Sequence, residues 1–404
     1  MYSYKIGISA QEHDAFVTNH SQANLLQSSA WAKIKDNWAN ERIGFYQDSQ
    51  LVATASILIK PLPLGFSMLY IPRGPIMDYS QPDLVRFVLT SLKSFAKKKR
   101  ALFVKFDPLL FLKQGLVGQE SPDQAETLAA IDSLSKAGAV WVGRTQLLDE
   151  TIQPRFQANI YREDFSLEQL SKSTRQAIRT ARNKGIEIQF GQTELLDDFS
   201  KLMKKTEARK SISLRGKDYY QKLLATYPDQ SYITLSSLNL EERLKELEKQ
   251  VDKLEKEAQK FTDKTKPGKI ENNRQESKRL AEEISFLEEK IQAGAKKVPL
   301  AASLVLEYGG TSENIYAGMD EDYRRYQPAI ITWYETAQHA FERQARWQNM
   351  GGIENNLDGG LYHFKSKFNP RIEEFVGEFN LPTSPLYYLS NLAYSLRKKL
   401  RSKH

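Results

Sequence analysis

Between Leu240 and Phe261 the apolar residues Leu240, Leu244, Leu247, Val251, Leu254, Ala258 and Phe261 recur at alternating steps of four and three, with charged residues between them. That spacing is a heptad seam and predicts a helix that packs along one stripe. Lys266, Pro267 and Gly268 interrupt it, because proline removes a helical donor and glycine permits a reversal. A second seam at Leu280, Ile284, Leu287 and Ile291 brings the chain back; extended backwards it weakens through Ser277 and Asn273 to Ile270. Two helices of about 22 residues, rising about 1.5 Å per residue, make an antiparallel coiled-coil arm roughly 33 Å long. Ser231–Ser237 before it and Val298–Tyr308 after it read as strands. The arm, residues 238–297, is therefore expected as an insertion between two strands of one sheet. Two uses stand open for it, a solvated decoration or a lever for a large partner such as a tRNA.

The remaining chain alternates short apolar runs with amphipathic stretches. Strands are expected at Ile43–Tyr46, Leu51–Lys60, Met68–Ile71 and Ala101–Phe106, with helices at Asp14–His20, Ser28–Asp36, Pro82–Lys99 and Ala125–Ala137. A second unit repeats the rhythm. Its strands are at Ala158–Tyr161, Ile186–Phe190 and Thr311–Ala317, and its helices at Leu167–Lys184, Glu194–Ser211, Tyr219–Thr226 and Pro328–Gln344. Mixed strands and helices in two similar halves predict two acyltransferase-like α/β domains. The expected division is 1–153 for the first domain and 154–237 with 298–384 for the second, with a helix from Pro385 to Arg401 returning to the first.

Composition narrows the chemistry. There is no cysteine, which excludes disulfides and thiolate chemistry, and the five histidines have no metal-ligand spacing, so neither a metal nor a cofactor is expected. No apolar run reaches about 18 residues, the length that suggests a membrane span, and the first residues have no basic region followed by an apolar one. The expected location is the cytoplasm, peripheral to the inner face of the membrane. The net charge is +8, but residues 240–297 hold 15 Lys/Arg against 14 Asp/Glu, so the excess lies on the body. That excess suggests a polyanionic partner. Lys172, Arg175, Arg179 and Arg182, spaced by three, four and three, put four cations on one helical stripe. A phosphate backbone is its expected partner, with a solvated face as the alternative.

Several stretches, taken in order, carry a resemblance. Gln27–Lys35 (QSSAWAKIK), Tyr70–Pro75 (YIPRGP), Phe106-Asp107-Pro108, Thr151–Arg155 (TIQPR), Tyr316-Ala317-Gly318 and Gly359–Lys365 (GGLYHFK) resemble the Fem family of peptidoglycan branching enzymes across nearly the whole chain. The arm and Asn349–Asn355 (NMGGIEN) resemble most the MurM type, which adds serine or alanine to the stem lysine of lipid II. The resemblance implies two GNAT-like acyltransferase domains with the arm inserted in the second. It also implies an aminoacyl-tRNA donor (Ser or Ala), lipid II as acceptor, and formation of an amide on the lysine ε-amine. The chain has no R/Q-x-x-G-x-G/A loop of the kind that cradles acetyl-CoA pyrophosphate, which agrees with a tRNA-borne donor.

The implied site residues follow. Lys365 matches the family lysine after phenylalanine and is the expected catalytic cation at the ester oxygens. Lys35 and Arg215 match the positions that hold the acceptor diphosphate, and Tyr316 matches a tyrosine of the same cleft. Another family acceptor-contacting tyrosine falls on Leu102 here, so acceptor contacts are expected to differ in detail. Asp107 ends a strand expected to be buried, where catalytic groups often sit in open α/β sheets, and is read as proton acceptor or orienting group; a turn residue before proline is the alternative. The basic C-terminus, Arg397–His404, is a candidate for tRNA or anionic lipid, with an ordinary tail as the alternative. Two other functions remain open at this point: a catalytically silent tRNA-binding scaffold, and an acyl-CoA N-acyltransferase.

Overall fold

The computed structural model describes residues 1–388. Its first half is built on strands β1 (Tyr2–Ile6), β2 (Ala39–Gln47), β3 (Gln50–Pro61), β4 (Ser67–Arg73), β5 (Ile76–Met77), β6 (Ala101–Pro108), β7 (Phe111–Leu116) and β8 (Val140–Trp141). Helices α1 (Ala10–Thr18), α2 (Ser29–Ile34), α3 (Pro82–Lys98) and α4 (Ala125–Lys136) lie between them. The β2–β3 hairpin turns on Asp48 and Ser49, both at positive φ, the geometry a two-residue hairpin loop needs to match strand twist.

The second half carries β9 (Phe156–Tyr161), β10 (Ile186–Gly191), β11 (Ser231–Asn239), β12 (Lys297–Tyr308), β13 (Thr311–Met319), β14 (Trp347–Gly352), β15 (Arg371–Phe375) and β16 (Phe379–Pro382). Its helices are α5 (Lys172–Asn183), α6 (Leu196–Lys210), α7 (Lys217–Thr226), α8 (Leu240–Ala258), α9 (Pro267–Gln292), α10 (Pro328–Glu342) and α11 (Gly360–Lys365). Helix α5 starts five residues later than Leu167, because Ser171 accepts from the Thr174 amide and caps it there.

Strand pairing crosses the expected division at residue 153. The sheets run β1-β2-β3-β4-β6-β16-β8, with β5 on β3, and β10-β11-β12-β13-β14-β9-β15-β7. Each half thus lends a strand to the other: β7 pairs with β15 in the second sheet, and β16 pairs with β6 and β8 in the first. The sequence hid this exchange because β15, Arg-Ile-Glu-Glu-Phe, buries both Glu373 and Glu374 and so lacks a legible apolar alternation. The halves also share a core. Val17, Leu25, Trp31 and Ile34 pack with Phe199, Tyr220, Leu224 and Leu304. At roughly 1.5–3 kcal/mol for each side chain withdrawn from water, that cluster is large enough to hold the halves as one body.

The arm emerges between β11 and β12. Leu240, Leu247, Leu280 and Leu287 are buried along the α8–α9 seam. The helical run is interrupted between Ala258 and Pro267, and Pro267 itself sits in the first turn of α9, where its missing donor costs nothing. At the arm root Glu283 receives Arg243 at 2.8 Å and Lys184, from the end of α5, at 3.2 Å. The C-terminal helix expected from Pro385 and the basic segment 397–404 lie almost entirely outside the described residues.

Candidate active site

Strands β13 and β14 pair in parallel through only Thr311–Trp347, Ser312–Gln348 and Glu313–Asn349. Beyond those pairs they diverge and open a cavity of about 1000 Å³, whose wall includes Ile315, Ala317, Gly352 and Lys365. Lys365 closes α11. The turn into that helix depends on Gly359, where an added Cβ would fall 2.3 Å from Glu354. The Glu354 carboxylate accepts from the amides of Leu361 and Tyr362 at 3.0 and 2.9 Å, satisfying donors at the helix start. Lys365 is 6% exposed, and its Nζ donates to the Gly352 carbonyl at 2.7 Å. Burial pushes its ammonium down to about 7, against the pull of Glu354 and with the push of Lys210. A lysine poised there exchanges its proton near neutral pH.

A second cluster faces the first half. Lys35 caps the C-terminal end of α2, which is held against α7 by Lys222, bonded to Asp36 and to the Ile34 carbonyl. Arg215 precedes α7, its guanidinium 5.2 Å from the Tyr219 ring. Lys35 is depressed by burial and then by the charge of Arg215. Tyr316 is raised by burial, while Arg215 and Tyr219 act on its hydroxyl in the opposite sense. Lys35, Arg215 and Tyr316 are thus brought together. Tyr316 lies between Ile315 and Ala317, which line the Lys365 cavity, so β13 joins the two clusters.

Asp107 stands apart from both. It is buried, with Oδ1 accepting from the Arg73 amide at 2.6 Å and Oδ2 from the Tyr70 hydroxyl at 2.8 Å. Burial raises its carboxyl to about 6, against the charge of Arg73. Both oxygens are engaged, and the carboxylate holds the backbone turn at Arg73. A contact path nevertheless leads from it to Lys365. Arg73 Nη2 donates to the Pro154 carbonyl at 3.1 Å. The Pro154 ring presses on Gly352, where an added Cβ would meet it at 2.7 Å, and Gly352 supplies the carbonyl that holds Lys365.

The basic stripe of α5 is divided. Arg182 pairs with Glu335 at 2.9 Å and Arg175 donates to the Glu168 carbonyl at 3.0 Å. Lys172 and Arg179 are exposed and enter no ion pair among the described residues. No sequence pattern pointed to Arg209 and Lys210 at the end of α6, which also line the Lys365 cavity. Their spacing carries no signal, since only the strand divergence brings α6 there.

The fold and its cleft define the class as an α/β transferase of the acyltransferase kind, with an amine-bearing cavity at a strand divergence. The chain belongs to the FemAB family, which it matches over residues 8–395. It is 28% identical to the lipid II:glycine glycyltransferase of Staphylococcus haemolyticus, over 95% of this chain and 94% of that protein. It is 29% identical to the enzyme of the same name from Staphylococcus saprophyticus, with the same shares covered. Among solved structures, that of FemX superposes with a TM-score of 0.75 at 25% identity, over 96% of this chain and 99% of that one. No helix among the described residues is long and apolar enough to cross a membrane.

Proposed function

We propose that this protein is an aminoacyltransferase that adds a residue to the peptidoglycan branch, using lipid II as acceptor and an aminoacyl-tRNA as donor. The observation that carries the reading is the pair of clusters joined by β13: Lys35, Arg215 and Tyr316 on one side, and the buried Lys365 in its cavity on the other. An arginine close enough to Lys35 for its charge to depress the ammonium makes a pair of cations that suits a diphosphate. The acceptor's lysine ε-amine attacks the carbonyl carbon of the aminoacyl ester. The carbon–nitrogen bond forms, the ester carbon–oxygen bond breaks, and the ribose hydroxyl leaves with a proton. In its protonated form Lys365 stabilises the negative oxygen of the tetrahedral intermediate, and the acceptor contacts supply placement. Asp107 acts through Arg73 and Pro154 on the Gly352 carbonyl that orients Lys365. The exposed Lys172 and Arg179, with Arg175 and Arg182 beside them, support contact with an RNA backbone.

Serine or alanine is the proposed residue, on the likeness of Asn349–Asn355 and the arm to serine- and alanine-adding enzymes; the staphylococcal relatives carry glycine in their names. The reading also has the enzyme working at the inner membrane face, where lipid II is presented. The test is mass spectrometry of lipid II after incubation with Gly-, Ala- and Ser-tRNA, with an RNase-treated control. An RNase-sensitive mass increase of one serine or alanine supports the reading. An increase of glycine alone corrects the donor, and no transfer with competent tRNA refutes it.

A further inference from the structure

A second cavity, of about 410 Å³, lies between the halves on the face of the second sheet turned toward the first. Its wall brings together Phe111, Tyr161, Trp347 and Phe375 with the carboxylate of Glu373. Rings around a carboxylate form a setting for an organic cation. The hydrogen-bond inventory points the same way. Glu373 Oε1 accepts from Tyr161 at 2.6 Å and Gln114 at 2.8 Å, but Oε2 accepts only the amide of Asn159, at 3.2 Å. That amide's own oxygen, Asn159 Oδ1, is buried without a partner among the described residues. Glu373 is 1% exposed and Asn159 2%. Acceptor capacity thus remains on two neighbouring buried side chains, which a ligand bringing donors of its own would satisfy. The cavity also includes the exposed residues Arg162 and Arg346, whereas its acidic neighbour Glu163 is paired with Arg371.

We propose that this cavity binds a zwitterionic primary amine of amino-acid size, its ammonium on Glu373 and Asn159 between the aromatic rings and its carboxylate toward Arg162 and Arg346. A cavity of this volume lies within the range of small-molecule sites. Lys365 is not among the residues of its wall, and the proposal does not depend on the transfer reaction.

Calorimetric titration of the whole protein with 6-aminohexanoate tests it, with hexanoate and hexylamine as probes lacking one charge each. The expected result is saturable binding of 6-aminohexanoate, at least about tenfold tighter than hexanoate, a ratio worth about 1.4 kcal/mol. Glu373→Gln is expected to remove that preference. The exposed change Arg346→Ala, which leaves the core intact, is expected to weaken 6-aminohexanoate and not hexylamine, and it keeps the test open if the Glu373 variant fails to fold. Equal affinity for 6-aminohexanoate and hexanoate, no binding at all, or an Arg346→Ala protein that binds both amines unchanged would each overturn the proposal.

Discussion

Lys35 and Arg215 approach from opposite halves of the chain, and the guanidinium adds to burial in pushing the ammonium of Lys35 down. In the absence of an anion this is an unfavourable arrangement of like charges, relieved by a ligand that places negative oxygens between them. Inorganic pyrophosphate or the lipid II headgroup should therefore raise the melting temperature of the wild type and do much less for Lys35→Ala or Arg215→Ala. Each single change should weaken acceptor binding by about 1.5–3 kcal/mol, the usual worth of a charged hydrogen bond. The double variant should lose less than the sum, because both residues act on one group. The cationic form of Lys35 is lost as pH rises through its lowered value, so acceptor binding should weaken at a lower pH than an ordinary lysine would allow. In Arg215→Ala that fall-off should move upward.

Lys365 links function to stability in a way that a calorimeter can read. Its folded-state value of about 7 lies below the ordinary lysine value of 10.5. The unfolded chain therefore holds more protons between those values, and the lysine's penalty on the fold is full below about 7 and relieved as pH rises toward 10.5. Lys365→Met should stabilise the protein at pH 7 by roughly 1–3 kcal/mol, after the loss of one hydrogen bond to Gly352 is subtracted. The same change should lower kcat by about a hundredfold or more, the scale on which removal of a charge-stabilising donor acts. Equal stability of variant and wild type from pH 6 to 10 would contradict the burial argument, whatever happens to activity.

The arm was legible because a heptad seam is a local signal: Leu240, Leu247, Leu280 and Leu287 occupy the seam that their spacing required. Most of the helices and longer strands of both halves were legible for the same reason. The strand exchange was not, because β7 and β16 find their partners across the chain, and neither Phe-Leu-Lys-Gln-Gly-Leu nor Phe-Asn-Leu-Pro says which sheet it will join. Within the candidate site, the grouping of Lys35, Arg215 and Tyr316 was anticipated through the family resemblance alone. No spacing rule relates residues 180 and 281 positions apart. Asp107 was legible as the end of a buried strand, whereas its hydrogen-bond partners, Tyr70 and Arg73 on a neighbouring strand, were not. The Glu373 cavity gave no sequence signal, because a glutamate in a short polar strand reads as solvated.

The division of the α5 stripe separates two kinds of charge change. Lys172→Glu and Arg179→Glu alter exposed cations outside any ion pair among the described residues. They should weaken tRNA binding and lower the magnitude of the slope of log affinity against log salt by about 0.7–0.9 for each phosphate no longer neutralised. Arg182 is bonded to Glu335 and lies over the Tyr334 ring. Arg182→Glu should therefore also lower the melting temperature, because it places two carboxylates side by side. Filter binding at several salt concentrations, with thermal melts of the same samples, distinguishes the two effects. Unchanged slopes in the Lys172 and Arg179 variants would remove the stripe from the RNA surface.

The arm root makes the sharpest stability prediction. Glu283 is 2% exposed, and its carboxyl, although desolvated, is held below its ordinary value by Lys184 and Arg243. Glu283→Gln leaves two cations without a counter-charge and should cost about 3–5 kcal/mol, as breaking a buried ion pair does. A change at the exposed Glu288 should stay within about 0.5 kcal/mol. Because the folded-state value of Glu283 is depressed, its contribution is fully present above the ordinary carboxyl value of 4.5 and is lost as pH falls through the lower folded value. Urea unfolding at pH 7 and again below pH 4 should show the gap between wild type and Glu283→Gln narrowing in acid. Shortening the arm beyond Val251, well above this ion cluster, should leave the body folded, whereas a cut that removes Arg243 and Glu283 together exposes Leu238, Tyr323 and Tyr326 of the body and should reduce solubility. If both truncations proved equally soluble, the arm would be anchored by its strands alone and the buried ions would contribute nothing to its attachment.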